Sequence, residues 1–228
     1  MEAILLAGGL GTRLQGVTGD RYPKSLAEVG GKPFIHYIIK YLESMGVNRF
    51  IFAVSHHAQM IIDSVESNFP DLDAAFSTEE RPLGTGGAIK QALALAKDDR
   101  VLVVNSDSFM EFSLDDFVSF SATHNSSLSM VCTEVEDVSR FGSADISEQD
   151  ELIKFFEKGK QGAGYINSGI YLIDSRHPVI MSKKGKFSFE NEILSNEKVS
   201  VYAMKNKGLF FIKLENDNKV FWQKVLIL

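Results

Sequence analysis

Several features that would assign this 228-residue chain to a particular protein class are scarce or absent. Its single cysteine, Cys132, excludes an intrachain disulfide, and the apolar run around it predicts a buried thiol. No apolar run approaches the roughly 18 residues that span a membrane. The first residues show no signal-peptide pattern. We therefore expect a cytoplasmic protein with no membrane partner.

Basic residues are fewer than acidic ones, with 24 Lys and Arg against 30 Asp and Glu. The formal net charge is −6 and the sequence pI is about 5.4, which argues against a nucleic-acid-binding surface. A nucleotide needs only a few local cations, so this balance leaves a nucleotide ligand open. The length and an apolar content of 44% fit a globular chain, and we predict one domain over residues 1–228.

The two best-known phosphate-binding motifs are missing as well. No Gly-x4-Gly-Lys-Ser/Thr run occurs, and Leu14 stands where the dinucleotide fingerprint has its third glycine. The run Gly8-Gly-Leu-Gly-Thr-Arg13 instead follows a short apolar segment, and Lys24 comes soon after it. Glycines let backbone N–H groups approach an anion, and the two cations add positive charge. These residues predict a polyphosphate site, with an ordinary tight turn as the alternative.

Short apolar runs alternate with helical patterns along the first half of the chain. The predicted strands are 3–6, 50–54, 101–104, 128–133, 170–173 and 209–212, and the predicted helices are 34–45, 59–69, 86–96 and 115–122. Consecutive apolar positions suit strands covered on both faces. We expect an α/β fold with a Rossmann-like, doubly wound, mixed and mostly parallel sheet, extended by a small antiparallel part from about residue 139.

Two further segments suit a phosphate ligand. Gly84-Thr85-Gly86-Gly87 precedes a predicted helix, whose N-terminus favours anions, although a simple helix cap is the alternative. Asp107 follows an apolar strand, where the carboxyl ends of parallel strands form a ligand crevice. A carboxylate there can hold Mg²⁺ against phosphate oxygens, or it can cap the next helix.

Four residues further along the chain offer what a sugar phosphate needs. Gly142 gives access to the backbone, Glu157 and Asn167 can bond hydroxyls, and Lys158 can pair with a phosphate. Each signal is weak alone, because a Glu-Lys pair is usually a solvated surface. Their value lies in occurring together and in this order.

In that order, the motifs resemble those of sugar-1-phosphate nucleotidyltransferases over roughly residues 1–205. The runs Pro82–Ile89 and Lys186–Ile193 are most similar to those of D-glycero-D-manno-heptose 1-phosphate guanylyltransferases. Mannose-1-phosphate guanylyltransferases and muramate uridylyltransferases are close relatives. The resemblance implies attack by a sugar 1-phosphate on the α-phosphorus of a nucleoside triphosphate, with GTP as the expected nucleotide, and release of pyrophosphate.

The resemblance also implies a role for each residue. Arg13 and Lys24 would be catalytic, Gly142, Glu157, Lys158 and Asn167 would bind the sugar phosphate, and Asp107 would bind Mg²⁺. The nucleotide would be held by Leu6, Gly8, Gly9, Gly11, Thr12, Gly84, Thr85, Gly86 and Gly87. The implied partners are the two substrates, and a homo-oligomer stays open.

The chain departs from the family pattern near its end. Lys213 stands where the family has a second metal-binding Asp, and Ser106 replaces a Gly before Asp107. The alternative hypothesis is therefore a weakly active nucleotide-binding relative with an impaired metal site. The apolar tail 220–228 predicts a packed helix. The adjacent His56 and His57 are not expected to face one site, and no histidine is expected to be catalytic.

Overall fold

The computed structural model describes residues 1–9, 23–157 and 159–206, together with the backbone of 210–216 and 219–226. The strands are β1 (Glu2–Leu6), β2 (Glu28–Val29), β3 (Lys32–Pro33), β4 (Arg49–Val54), β5 (Ala74–Thr78), β6 (Arg100–Asn105), β7 (Phe109–Met110), β8 (Leu128–Val135), β9 (Ser143–Ile146), β10 (Leu152–Phe156), β11 (Gly164–Asp174), β12 (Tyr202–Asn206), β13 (Phe210–Asn216) and β14 (Lys219–Leu226). The α-helices are α1 (Phe34–Ser44), α2 (Ala58–Asn68), α3 (Gly84–Leu93), α4 (Leu114–Thr123) and α5 (Pro178–Ser182); Lys24–Leu26 form a 3₁₀ turn and Glu190–Leu194 a π-helix.

Within the residues that the structure describes, the main sheet has nine strands and is mixed. Strands β6, β1, β4 and β5 are neighbours in that order, and each pair is parallel. Strand β11 pairs antiparallel with β6, β8 and β9, and β10 continues from β9. The fold class is confirmed, but the antiparallel part already includes β8, which begins at Leu128. It therefore starts earlier than the spacing of the later strands predicted.

Both faces of the sheet are covered, which explains the consecutive apolar positions. On β1, Ala3 and Leu5 pack with α1, α2 and α4, whereas Ile4 packs on the opposite side with α3 and α5. Alternate residues of a strand point to opposite faces, so a strand buried on both faces must be apolar throughout. Cys132 is buried, as predicted.

The carboxyl ends of the parallel strands meet at one edge. Leu6 is in register with Ala53 on one side and with Asn105 on the other, and Val54 is in register with Thr78. The chain segments that follow these strands are therefore brought side by side, and they form the edge at which ligands of such sheets usually bind.

One prediction about the end of the chain is wrong. Residues 220–228 were expected to form a helix, but Lys219–Leu226 form β14, which pairs with β13 in an antiparallel hairpin and with β7 in a parallel register. The segment is rich in valine and aromatic residues, which favour strands when a partner strand is available.

Other predicted elements agree within a few residues. The four predicted helices correspond to α1–α4, and α3 begins two residues earlier than predicted. Among the described residues, no helix is long and apolar enough to cross a membrane. The single-domain organisation over residues 1–228 stays a prediction.

Candidate functional site

A cavity of about 670 Å³ lies at the carboxyl ends of the parallel strands. We call it the strand-end cavity. It is lined by Leu6, Gly8, Gly9, Ala53, Ser55, His56, His57, Glu79, Glu80, Arg81, Pro82, Gly84, Thr85, Ala88, Asn105, Asp107 and Lys186. The described residues predicted to bind the nucleotide, other than Gly86 and Gly87, are thus brought together here with the predicted metal ligand.

The floor of this cavity is fixed by contacts between neighbouring strand ends. The Ser55 hydroxyl donates to the Gly8 carbonyl, and a Cβ on Gly8 would lie 2.9 Å from the Ser55 oxygen. The buried Ser106 hydroxyl donates to the Leu6 carbonyl at 2.7 Å. Ser106, which departs from the family pattern, therefore ties the end of β6 to the end of β1 just before Asp107.

The second glycine-rich segment is held against the chain around Phe187. The Phe187 N–H donates to the Leu83 carbonyl at 2.9 Å, and the Phe187 carbonyl accepts from the Gly86 N–H at 3.1 Å. Gly84 has a φ of +73°, and a Cβ there would lie 2.5 Å from the Phe187 carbonyl oxygen. Only glycine fits both the conformation and the close approach.

Gly86 and Gly87 lie close to other protein groups in the described structure. A Cβ on Gly86 would lie 2.2 Å from the buried Phe187 ring, and one on Gly87 would lie 2.7 Å from the Leu83 Cβ. Neither glycine lines a described cavity. Packing against protein explains their small size, and a role in placing the base stays a prediction.

A second cavity, of about 700 Å³, lies beside a bend in β11, and we call it the bend cavity. Its lining residues are Gly84, Thr85, Asn105, Arg140, Phe141, Gly142, Phe155, Glu157, Asn167, Lys186, Phe187, Ser188, Glu190 and Glu192. Three of the four residues predicted to bind the sugar phosphate are therefore brought together in a cavity that adjoins the strand-end cavity.

Asn167 sits where the pairing of β11 with β8 changes register. Its Oδ1 accepts from the Gly169 N–H at 2.9 Å, and its Nδ2 donates to the Tyr171 hydroxyl at 2.6 Å. Burial raises the pKa of Tyr171 well above its ordinary value, so this hydroxyl stays protonated. These contacts fix the orientation of the Asn167 amide at the cavity wall.

Glu157 and Gly142 are also held from neighbouring elements. Asn191 Nδ2 donates to Glu157 Oε2 at 3.0 Å. The Gly142 carbonyl accepts from the Asn167 N–H at 2.9 Å, and a Cβ on Gly142 would lie 2.8 Å from the Phe155 ring. Polar groups from three separate segments thus converge on one wall, as in sites that bind hydroxylated ligands.

The two cavities share four lining residues: Gly84, Thr85, Asn105 and Lys186. These residues form what we call the junction. A group transferred from a ligand in one cavity to a ligand in the other would pass across it.

Sequence analysis overlooked two features of the strand-end cavity. Glu79 is half-buried there, its Oε2 accepts from the Leu83 N–H at 2.7 Å, and burial raises its pKa. His56 and His57 both line the cavity, which adjacent residues of a regular element could not easily do, and this is possible because they lie in the turn between β4 and α2. His57 adopts a left-handed φ of 60°, which turns the chain between the two rings.

Five further predicted site residues either lie outside the described residues or line neither cavity. Gly11, Thr12, Arg13 and Lys158 lie outside the described residues. Lys24 is half-buried in its 3₁₀ turn and lines neither described cavity. Its catalytic role stays a prediction.

The predicted metal ligand, Asp107, is among the described residues. Asp107 lines the strand-end cavity, and within residues 1–9, 23–157 and 159–206 no three side chains form a metal-binding cluster. Mg²⁺ commonly uses one or two carboxylates and completes its shell with phosphate oxygens and water. A single Asp at the strand-end cavity is compatible with that mode.

A crevice at the ends of parallel strands that adjoins a second polar cavity is typical of α/β enzymes that bring two polar substrates together. Comparison with known proteins is more specific. The profile of the Nucleotidyl transferase family matches residues 2–213. The chain therefore belongs to the nucleotidyl transferase family.

Individual relatives fall within the same family. The chain is 36% identical to a D-glycero-alpha-D-manno-heptose 1-phosphate guanylyltransferase of Campylobacter jejuni, with 87% of each chain covered. It is 39% identical to HddC of Yersinia pseudotuberculosis, solved in complex with GMP-PN, with a TM-score of 0.80 and 90% of each chain covered. A Saccharomyces cerevisiae mannose-1-phosphate guanyltransferase is more distant, at 29% identity over 84% of this chain and 59% of that protein. The homologues are thus sugar-1-phosphate nucleotidyltransferases.

Proposed function

We propose that this protein transfers a guanylyl group from GTP to D-glycero-D-manno-heptose 1-phosphate, giving a GDP-sugar and pyrophosphate. The observation that carries the proposal is the pair of cavities meeting at Gly84, Thr85, Asn105 and Lys186. Predicted nucleotide residues line one cavity and predicted sugar residues line the other. The likeness to heptose 1-phosphate guanylyltransferases supports the choice of both substrates.

The chemistry requires little beyond positioning. A phosphate oxygen of the sugar 1-phosphate attacks the α-phosphorus of GTP and forms a new phosphorus–oxygen bond. The bond from the α-phosphorus to the oxygen that bridges to the β-phosphate breaks, and pyrophosphate leaves with the electron pair. The attacking phosphate is already ionised, so no general base is needed, and alignment with charge stabilisation accounts for catalysis.

The residues of each cavity have separate tasks in this proposal. Gly8 and Gly9 offer backbone N–H groups to the triphosphate, and the Gly84 turn leaves space beside it. The Glu157 carboxylate accepts hydrogen bonds from sugar hydroxyls, and the Asn167 amide accepts or donates them. Arg13 and Lys24 would carry positive charge to the departing and transferring phosphates.

Asp107 would hold Mg²⁺ in the strand-end cavity. When bound, the ion supplies charge neutralisation on the phosphate oxygens. The carboxylate follows β6 directly, and the bond from Ser106 to Leu6 fixes the backbone that precedes it. We also propose a cytoplasmic location and no nucleic-acid or membrane partner, in keeping with the acidic charge and the single buried cysteine.

Pyrophosphate release tests the proposal. Purified protein with Mg²⁺ should turn over GTP with heptose 1-phosphate faster than ATP, CTP or UTP with the same acceptor. Mannose 1-phosphate, glucose 1-phosphate and N-acetylmuramate 1-phosphate serve as alternative acceptors. A preference for mannose 1-phosphate would favour a mannose-1-phosphate guanylyltransferase, and a preference for UTP would overturn the proposed nucleotide.

One observation favours a second candidate. Lys213 takes the place of the family's second metal-binding Asp, which would suit a nucleotide-binding relative of low activity. GTP binding without measurable turnover of any acceptor in the same panel would support that candidate.

A further inference from the structure

Lys186 is placed where the two cavities meet. It lines both of them, together with two small residues and the Asn105 amide. Among the described residues its ammonium group forms no ion pair or hydrogen bond, although other lysines of the chain are paired. This cation is therefore exposed at the junction and is not neutralised by a described carboxylate.

The backbone that carries Lys186 is held firmly. Its neighbour Phe187 is buried and forms two backbone hydrogen bonds to the segment Leu83–Gly86, of 2.9 and 3.1 Å. The Lys186 Cγ lies 3.6 Å from the point that a Cβ on Gly84 would occupy. The stem of the lysine thus packs over the Gly84 turn, which fixes where its charged end can reach.

The charge around the junction makes this lysine unusual. Three carboxylates, those of Glu79, Glu80 and Asp107, line the strand-end cavity. Its fixed cations among the described residues are only Arg81 and Lys186. The bend cavity has Glu157, Glu190 and Glu192 against Arg140 and Lys186. In the described part of the chain, Lys186 is the one fixed cation that lines both cavities. Because two phosphates repel each other as they approach, a cation common to both would lower that repulsion.

We propose that Lys186 is a further catalytic residue, which contacts the phosphate of the sugar 1-phosphate and the α-phosphate of the nucleotide at the same time. This inference rests on the proposed function. Lysine suits the task because its ammonium is a compact charge with three rotatable donors. The bonds made and broken are those already given: the new phosphorus–oxygen bond forms, and pyrophosphate departs with the electron pair.

Three variants test the assignment in the full-length protein. Lys186→Met removes the charge and keeps the stem, and Lys186→Arg retains a charge. Lys184→Met is the matched control, because Lys184 is an exposed lysine on the same segment that lines neither cavity. We expect Lys186→Met to lower kcat by about 10²-fold and to raise KM for both substrates. Lys186→Arg should recover part of the loss, and Lys184→Met should stay within about twofold of wild type.

A binding measurement separates phosphate contact from structural support. Calorimetry with GTP, and displacement of a fluorescent GTP analogue by guanosine, report binding with and without phosphates. We expect Lys186→Met to weaken GTP binding several-fold relative to Lys184→Met and to leave guanosine binding unchanged.

Each contrary result has a distinct meaning. Kinetic and binding constants of Lys186→Met that match those of Lys184→Met would overturn the assignment, and so would equal losses of GTP and guanosine binding. A wild-type protein that binds GTP but turns over no acceptor would count against the proposed function. The comparison of GTP with guanosine would still decide whether Lys186 contacts phosphate.

Discussion

At the residue scale, Glu79 combines burial with a position in the strand-end cavity. Desolvation raises the pKa of its carboxyl above 4.5, and the hydrogen bond from the Leu83 N–H opposes this only in part. A carboxyl whose pKa is higher in the folded than in the unfolded state stabilises the fold only while it is protonated. That stability is fully present below the unfolded pKa and is lost as the pH rises through the folded pKa.

Glu79→Gln should therefore stabilise the ligand-free protein at pH 8 relative to wild type, and the gain should vanish near pH 4. The glutamine carbonyl can still accept from the Leu83 N–H, so the change removes the charge and keeps the contact. Urea unfolding across this pH range measures the effect, and Glu80→Gln, at the exposed neighbouring position, is the control. A gain of equal size at both pH values would contradict the account.

The sequence indicates which glycines are special, but it does not indicate what each of them faces in the folded protein. The glycines at 84, 86 and 87 could be identified as special, because a run of small residues before a helix is unusual. Which of them lines a cavity depends on the position of Phe187, about a hundred residues away in the sequence. No local pattern could separate Gly84 at the cavities from Gly86 against an aromatic ring.

At the element scale, the π-helix Glu190–Leu194 links the Gly84–Gly87 segment to the bend cavity. Glu190 Oε2 accepts from the Thr85 hydroxyl at 2.6 Å and from the Ser188 hydroxyl at 3.1 Å, and the Phe189 N–H donates to Thr85 Oγ1 at 2.9 Å. The adjacent Asn191 donates to Glu157. The short helix therefore connects the start of α3 with the wall of the bend cavity, and π-helices are often found at functional sites.

Thr85→Val should loosen this connection, because it removes a hydroxyl that both donates and accepts. We expect a loss of roughly 0.5–1.5 kcal/mol in the free energy of unfolding and a several-fold increase in KM for the sugar phosphate. Thr85→Ser keeps the hydroxyl and should behave like wild type. Denaturant unfolding and steady-state kinetics measure the two effects. Identical constants for the valine and serine variants would show that the link is unimportant.

Some helices and strands can be predicted from their own residues, whereas others depend on contacts with distant parts of the chain. Strands β1, β4 and β6 could be predicted because burial on both faces makes them apolar throughout. The π-helix could not, since its residues carry no distinctive periodicity and it is held by Thr85 from another part of the chain. The apolar segment now seen as β14 was ambiguous by itself, and its partners β13 and β7 decided in favour of a strand.

At the scale of the whole molecule, the β13–β14 hairpin pairs with the short strand that follows the predicted metal ligand Asp107. Strand β14 pairs with β7 through Val225 and Phe109, and Phe109 follows Asp107 by two residues. Lys213 lies on β13, opposite Trp222 of β14. Sequence order alone separates Asp107 from Lys213 by about a hundred residues, and the pairing of β14 with β7 brings their backbone segments into one sheet.

The final prediction concerns the metal requirement that this arrangement implies. Asp107→Asn should lower Mg²⁺-dependent turnover by at least about 10²-fold, because it removes the carboxylate that is predicted to bind the ion. Lys213→Asp should lower the Mg²⁺ concentration needed for half-maximal turnover by roughly tenfold, equivalent to about 1.4 kcal/mol. The reason is that it replaces a cationic side chain with the carboxylate that the family pattern has at this position. Pyrophosphate release titrated with Mg²⁺ measures both changes, and Lys213→Met separates the loss of repulsion from the gain of a ligand. An unchanged titration in Lys213→Asp would show that Lys213 does not impair metal binding, and Asp107 with the substrate phosphates would then suffice to hold the ion.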